Sequence, residues 1–267
     1  MGMPTRLTEF PNARGDKLRG VLTGYWTARH SVLMLPGYER AASSEPKFKR
    51  LADKLEKSQI ASLRLDYSGC GLSDGEFGAN TVASYADDVV RALKSLRKRG
   101  FKKFRVVAHS LSACIVAHLY AAQEIEFDRI VLIAPALDQR ALQRYWFVRN
   151  TMRRQNRTFR VTWQNYGTFL NEQEFAEDCA RTDKMTGKNY VGGIFFPENK
   201  DRDYQNDFRP LAGKTLLVHG EHDDIVPIES LGIEYPQSSI VPRGDHELER
   251  PDMTRVWLPH AADYLTL

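Results

Sequence analysis

Residues 104–123 read FRVVAHSLSACIVAHLYAAQ. FRVVA (104–108) is a short apolar, β-branched run, and LSACIVAHLYAAQ (111–123) is a longer helical pattern that follows almost at once. Between them stands Ser110. A strand that ends, a serine two residues on and a helix that starts directly after it form a turn that lifts a hydroxyl to the C-terminal edge of a parallel sheet. Such a turn is tight, so the residues two before and two after the serine must be small. Ala108 and Ser112 are small, although neither is Gly. The backbone N–H of Leu111 would open the helix and point at negative charge developing on a carbonyl oxygen. A buried serine capping a helix uses the same letters, so this segment alone leaves both readings open.

Outward from this turn, SVLML (31–35), IASLRL (60–65), RIVLIA (129–134) and KTLLV (214–218) repeat the buried-strand pattern. Near-continuous apolar runs suit a parallel sheet covered on both faces. Helical patterns lie between them at 44–58 and 81–100, the second ending at Gly100 after a basic turn. This alternation predicts an α/β fold, mostly parallel, with helices on both faces. TRLTEF and LRGVLTGY, separated by a turn-like NARGD, predict an antiparallel hairpin at the sheet edge. From 137 to 210 the rhythm breaks. Aromatic and charged residues accumulate there without a clear strand, which predicts a helical cap insertion between core segments 1–136 and 211–267.

Composition bounds the function. The 267 residues are 42% hydrophobic and 27% charged, with net charge +4. That balance is ordinary for a globular protein, and too weak and dispersed to imply nucleic acid. No stretch approaches the roughly 20 apolar residues of a membrane span. Three scattered cysteines without ligand spacing suggest reduced thiols and a cytoplasmic setting.

Two further loops can carry chemistry. In LLVHGEHDDIVP (216–227) a strand runs into Gly220, and Glu221, Asp223 and Asp224 follow before an expected helix at Val226-Pro227. A carboxylate at that position can orient an imidazole, and the same residues could equally cap a helix. In VPRGDHELERP (241–251), His246 sits in a Gly-containing loop between a short apolar run and a C-terminal helix from about Pro251. Serine, acid and histidine, each just past a strand and in that chain order, match the order of triads in one particular fold.

With these motifs in place, the chain resembles the α/β-hydrolase superfamily. It is most similar to the branch of feruloyl and cinnamoyl esterases, serine aminopeptidase-like hydrolases and monoacylglycerol-lipase-like enzymes. LRLDYSGCGLSDGEF (63–77) is the most specific stretch, with Arg64, Asp66, Gly69, Gly71, Ser73 and Gly75 matching that branch's run. The resemblance implies a local polar network at Arg64 and Asp66. Gly220, Asp223, Val226 and Pro227 match in register, which favours Asp223 over Asp224 as the acid. The resemblance implies Ser110 as nucleophile, His246 as base and Asp223 as its orienting acid. It also implies an oxyanion hole from the backbone N–H groups of Tyr38 and Leu111. The expected activity is hydrolysis of carboxylic esters of small to medium acyl groups through an acyl-enzyme, with a small-molecule ester or thioester as partner and no metal or organic cofactor. A thioesterase or amidase with the same triad, and a catalytically silent binding scaffold, are the alternatives. His109 is expected to be structural and Cys70 a small packed thiol.

The chain departs from the branch at Pro36, which replaces a histidine, and at Ser112, which replaces a glycine. If Ser112 only adds bulk, Ser112→Gly keeps or improves activity on small esters. In the expected cap, residues 140–160 hold seven arginines and no acid. Arg149, Arg153 and Arg157 fall at i, i+4 and i+8, one helical stripe. Trp146, Arg149 and Arg153 are the expected substrate contacts, the arginines favouring a carboxylate or phosphate; a solvated basic face is the plainer alternative.

Overall fold

The computed structural model describes residues 5–24, 30–155, 159–186, 189–191 and 193–267. β1 (Thr5–Pro11) and β2 (Lys17–Thr23) form the expected antiparallel edge hairpin; Tyr25, the end of the expected second strand, lies outside the described residues. β3 (His30–Leu35), β4 (Ala61–Asp66), β5 (Lys103–His109) and β6 (Ile130–Ile133) follow the apolar runs. β7 (Met185–Thr186) and β8 (Asn189–Tyr190) pair with each other in a separate two-stranded ladder. β9 (Thr215–Gly220) and β10 (Gln237–Val241) complete an eight-stranded sheet of order β1-β2-β4-β3-β5-β6-β9-β10. From β4 to β10 every neighbouring pair is parallel. This is the α/β-hydrolase architecture.

The strands read as unbroken apolar runs because both faces are covered. Leu33 and Leu35 pack into one core and Val32 and Met34 into the other, with the two-residue alternation of a strand. α2 (Val82–Lys98) and α3 (Ser112–Ala121) cover the first face. α1 (Pro46–Lys57) and α8 (Pro251–Thr266) cover the second. Thr81 and Ser84 close a reciprocal capping box on α2, and Pro46 starts α1 where its missing N–H costs nothing.

Among the described residues, 137–210 add no strand to the main sheet. They hold α4 (Gln139–Arg154), a 3-10 turn at Tyr166–Phe169, α5 (Glu172–Ala180), α6 (Phe195–Asn199) and α7 (Gln205–Phe208), plus the two-residue ladder of β7 and β8. The helix expected after Pro227 is a single 3-10 turn, Ile228–Ser230. Gly232 and Pro236 follow too soon for a longer run. No helix among the described residues is long and apolar enough to cross a membrane. Cys70, Cys114 and Cys179 are free and buried, and burial pushes the Cys70 thiol up to about 12.

Candidate active site

Ser110 sits between the last residue of β5 and the start of α3 with a φ of 53°. A non-glycine residue in that left-handed region is strained and must be held from several sides. Here its N–H donates to the Ile133 carbonyl at 2.9 Å, and its own carbonyl accepts from Ala113 at 3.1 Å and Ala136 at 3.2 Å. Its hydroxyl opens into a cavity of about 940 Å³ and is bonded to no described residue. His246 lines the same cavity.

The acid and the histidine meet through their backbones. A Cβ on Gly220 would stand 2.4 Å from the Gly244 carbonyl oxygen, so only glycine lets the two loops approach this closely. Glu221 N–H donates to Val241 and His222 N–H to Gly244, fixing one loop on the other. This contact brings His246 Nδ1 to 2.8 Å from Asp223 Oδ2. The other Asp223 oxygen accepts the N–H groups of Ile225 at 2.9 Å and Val226 at 2.8 Å, which locks the carboxylate. A carboxylate only accepts, so the His246 proton sits on Nδ1 and Nε2 is left as the basic atom. Asp224, the other acid weighed from sequence, points elsewhere and binds Arg149.

Tyr38 and Leu111 both line the cavity. Neither backbone N–H has an acceptor among the described residues. Two bare donors flanking a serine can bind an oxyanion. A Cβ on Gly37 would lie 3.0 Å from His109 Nδ1 and 3.4 Å from Ser110 Cβ, so the loop before Tyr38 rests directly on the serine turn. The Tyr38 ring is wedged against Phe77 at 5.1 Å and Phe195 of α6 at 4.7 Å, which ties this loop to the 137–210 segment.

Arg64 and Asp66 form the expected network. Asp66 accepts from the N–H groups of Ser43 and Leu72, each at 2.9 Å, and Arg64 donates to the Ser43 carbonyl at 3.0 Å. Of the expected cap contacts, Trp146, Arg149 and Arg153 all line the cavity. Trp146 spends its indole N–H on the Ile225 carbonyl at 2.6 Å, and Arg149 is engaged by the carbonyl and carboxylate of Asp224. Those two side chains fasten α4 to the acid loop. Arg157 lies outside the described residues.

Sequence reasoning marked Ser112 as added bulk and His109 as structural without their partners, and it passed over Lys47. Ser112 Oγ donates to the Pro36 carbonyl and stands 2.7 Å from the Tyr67 hydroxyl, wholly buried. The serine in a glycine position was the available signal. His109 is buried beneath the site, its Nε2 3.1 Å from the His246 carbonyl and its ring 4.9 Å from the His246 ring. Burial drives its pKa well down, so it is neutral and donates from Nε2. Lys47 is fully buried, 3.2 Å from Glu247, 3.5 Å from Glu45 and 3.7 Å from Glu249. Glu247 also pairs with Arg40, so the histidine loop is held to the loop after Tyr38. A lone lysine in an amphipathic helix gives no hint of this. Glu45, His109 and Glu247 offer ligand atoms within 4.8 Å of one another, but the Lys47 ammonium already supplies positive charge there, which works against a divalent ion.

Comparison with known proteins agrees with this architecture. The chain superposes on Est1E from Butyrivibrio proteoclasticus with ferulic acid bound, with TM-score 0.70 at 16% identity over 97% of this chain and 96% of that one. It superposes on the esterase EaEST from Exiguobacterium antarcticum with TM-score 0.66 at 16% identity over the whole of both chains. Mouse alpha/beta hydrolase domain-containing protein 10 gives 0.62 at 19% identity over 97% of each. At these identities the likeness establishes the fold. No curated protein matches the chain at a significant level. The family model described as Hydrolase_4, serine aminopeptidase S33, matches residues 27–233, most of the chain and the span holding both the serine turn and the acid loop; the chain belongs to that family of hydrolases.

Proposed function

We propose that the protein hydrolyses carboxylic esters of small to medium acyl groups through Ser110, His246 and Asp223. The observation that carries this reading is the 2.8 Å contact of His246 Nδ1 with a locked Asp223, which leaves Nε2 basic in the cavity onto which the Ser110 hydroxyl opens. His246 Nε2 takes the Ser110 proton as Oγ attacks the acyl carbon. Asp223 holds the imidazole in its tautomer and stabilises the imidazolium. The N–H groups of Tyr38 and Leu111 receive the oxyanion. His246 then gives its proton to the leaving alcohol, and water activated by the same Nε2 releases the acid from the acyl-enzyme. Residues 137–210 act as a cap over core segments 1–136 and 211–267. The cavity of about 940 Å³ is at the upper end of the range for small-molecule sites, which supports acyl groups beyond acetyl.

Fluorophosphonate labelling of the protein and of Ser110→Ala, followed by p-nitrophenyl esters, acyl-thioesters and anilides, tests the reading. Labelling lost in Ser110→Ala with ester turnover is the expected result. Absent labelling would mean a silent scaffold, and faster turnover of thioesters or anilides would reassign the acyl donor.

A further inference from the structure

The cavity that holds Ser110 is lined by more cationic than anionic side chains. Most of those charges cancel in pairs. Arg40 is held by Glu247, Lys184 by Asp178, and Arg149 by Asp224. Arg181 is held by Asp183 at 2.9 Å. Glu39, the remaining lining acid, meets only the neutral amide of Asn189 at 3.2 Å and pairs with no cation among the described residues, so it offsets part of the excess. Arg153 and Arg154 remain. Among the described residues, which include every Asp and Glu of the chain, no carboxylate pairs with either one. Both are exposed side chains in the last turn of α4, and both reach the cavity. Arg153 lies one turn past Arg149, about 6 Å along the helix axis, and Arg149 grips the neighbour of Asp223. These two guanidinium groups, unpaired by any carboxylate, therefore line the substrate space.

We propose that Arg153 and Arg154 form a subsite for an oxyanionic group, a carboxylate or a phosphate, carried on the substrate away from the scissile carbonyl. The proposal rests on the esterase reading above and narrows its substrate class. Two guanidinium forks meet such groups with paired N–H donors. The plain role of these residues, offsetting the negative end of the α4 dipole, requires no ligand.

The test compares the p-nitrophenyl monoester of a dicarboxylic acid with its ω-carboxamide of equal length, and an ω-phosphate ester with its ω-hydroxyl counterpart. The readout is the anionic-to-neutral ratio of kcat/KM in the wild type, in Arg153→Gln/Arg154→Gln, and in Lys54→Gln/Lys57→Gln, which removes equal charge from α1. We expect a wild-type ratio of about tenfold or more for at least one pair, shrinking at high salt. It falls toward one in the arginine variant and persists in the α1 variant. The pair that shows the larger ratio identifies carboxylate or phosphate. A wild-type ratio near one for both pairs, or a ratio that survives in the arginine variant or falls equally in the α1 variant, overturns the subsite. If the wild type turns over no ester and takes no fluorophosphonate, the esterase reading fails instead. The subsite is then read by calorimetric titration with suberate and with inorganic phosphate. Binding lost in Arg153→Gln/Arg154→Gln supports it, and absent or unchanged binding overturns it.

Discussion

The hydroxyl of Ser112 donates to the backbone carbonyl of Pro36, so the first turn of α3 and the loop carrying Tyr38 are joined by one buried hydrogen bond. Tyr67 then donates to Ser112 in turn, at 2.7 Å. The two N–H groups proposed for the oxyanion, those of Leu111 and Tyr38, flank this clasp on either side. Ser112 is therefore a positioning residue, and the expectation that Ser112→Gly helps small esters reverses. The variant leaves a carbonyl and a phenol without partners, at about 1–3 kcal/mol. A displacement of a fraction of an ångström in the loop costs kcat by about tenfold or more, with KM less affected. Ser112→Ala should show the same kcat loss without the added flexibility of glycine. Unchanged kcat in both variants, measured beside urea denaturation, would show that the clasp serves stability alone.

Asp223 and Asp224 are adjacent in sequence and opposite in environment. Asp223 is buried with both oxygens occupied, whereas Asp224 is exposed and meets Arg149. Asp223→Asn should lower kcat by about 10³–10⁴, because an amide can donate toward Nδ1 and turn the imidazole to the wrong tautomer. Asp224→Asn should cost far less. Steady-state kinetics on one p-nitrophenyl ester decides; comparable losses would remove Asp223 from its special place.

Much of this was legible because burial on both faces writes itself into a strand. The apolar runs at 31–35, 60–65, 104–108, 129–134 and 214–218 each mark a core strand, within a residue or two. Of the residues that the chain order singled out, Ser110 and His246 line one cavity, and Asp223 lies behind His246, 2.8 Å from its Nδ1. What sequence could not show is the partner of each polar group. Lys47 in PKFKRLADKLEK reads as one more surface lysine, yet it is wholly buried among three glutamates from two loops. Arg149 looks free for substrate until Asp224 is folded beneath it. Pairings of this kind depend on distant segments, and periodicity carries no record of them.

Lys47 and Arg40 already face the half-buried Glu247 and Glu249, so the buried carboxylate of Glu45 has little positive charge left to answer it. Burial pushes the Glu45 carboxyl up to about 7. A folded value above the unfolded one means that the folded state binds the extra proton between pH 4.5 and about 7. Stability from this group is thus present at low pH and lost as pH rises through that window, by up to about 3 kcal/mol. Glu45→Gln keeps a neutral side chain at every pH. The wild type should lose stability relative to Glu45→Gln between pH 5 and 8, measured by urea denaturation. A difference that stays constant across that range would show that Glu45 is ionised throughout.

Arg149 and its neighbour Arg153 differ in what already holds them, and this separates two effects within one helix stripe. Arg149 donates to both the carbonyl and the carboxylate of Asp224, while Trp146 donates to Ile225 one residue on. The 224–225 segment leads directly from Asp223, so these contacts hold the loop that orients His246. The guanidinium is spent and cannot also receive an anionic substrate without releasing Asp224. Arg149→Ala should therefore lower kcat/KM on neutral and anionic esters alike, by up to about tenfold through a looser acid loop. Asp224→Asn should reproduce part of the loss, and the two changes together should cost less than their sum, because each removes the same contact. A loss confined to the anionic ester would show that Arg149 binds substrate and that its pairing with Asp224 yields when the cavity fills.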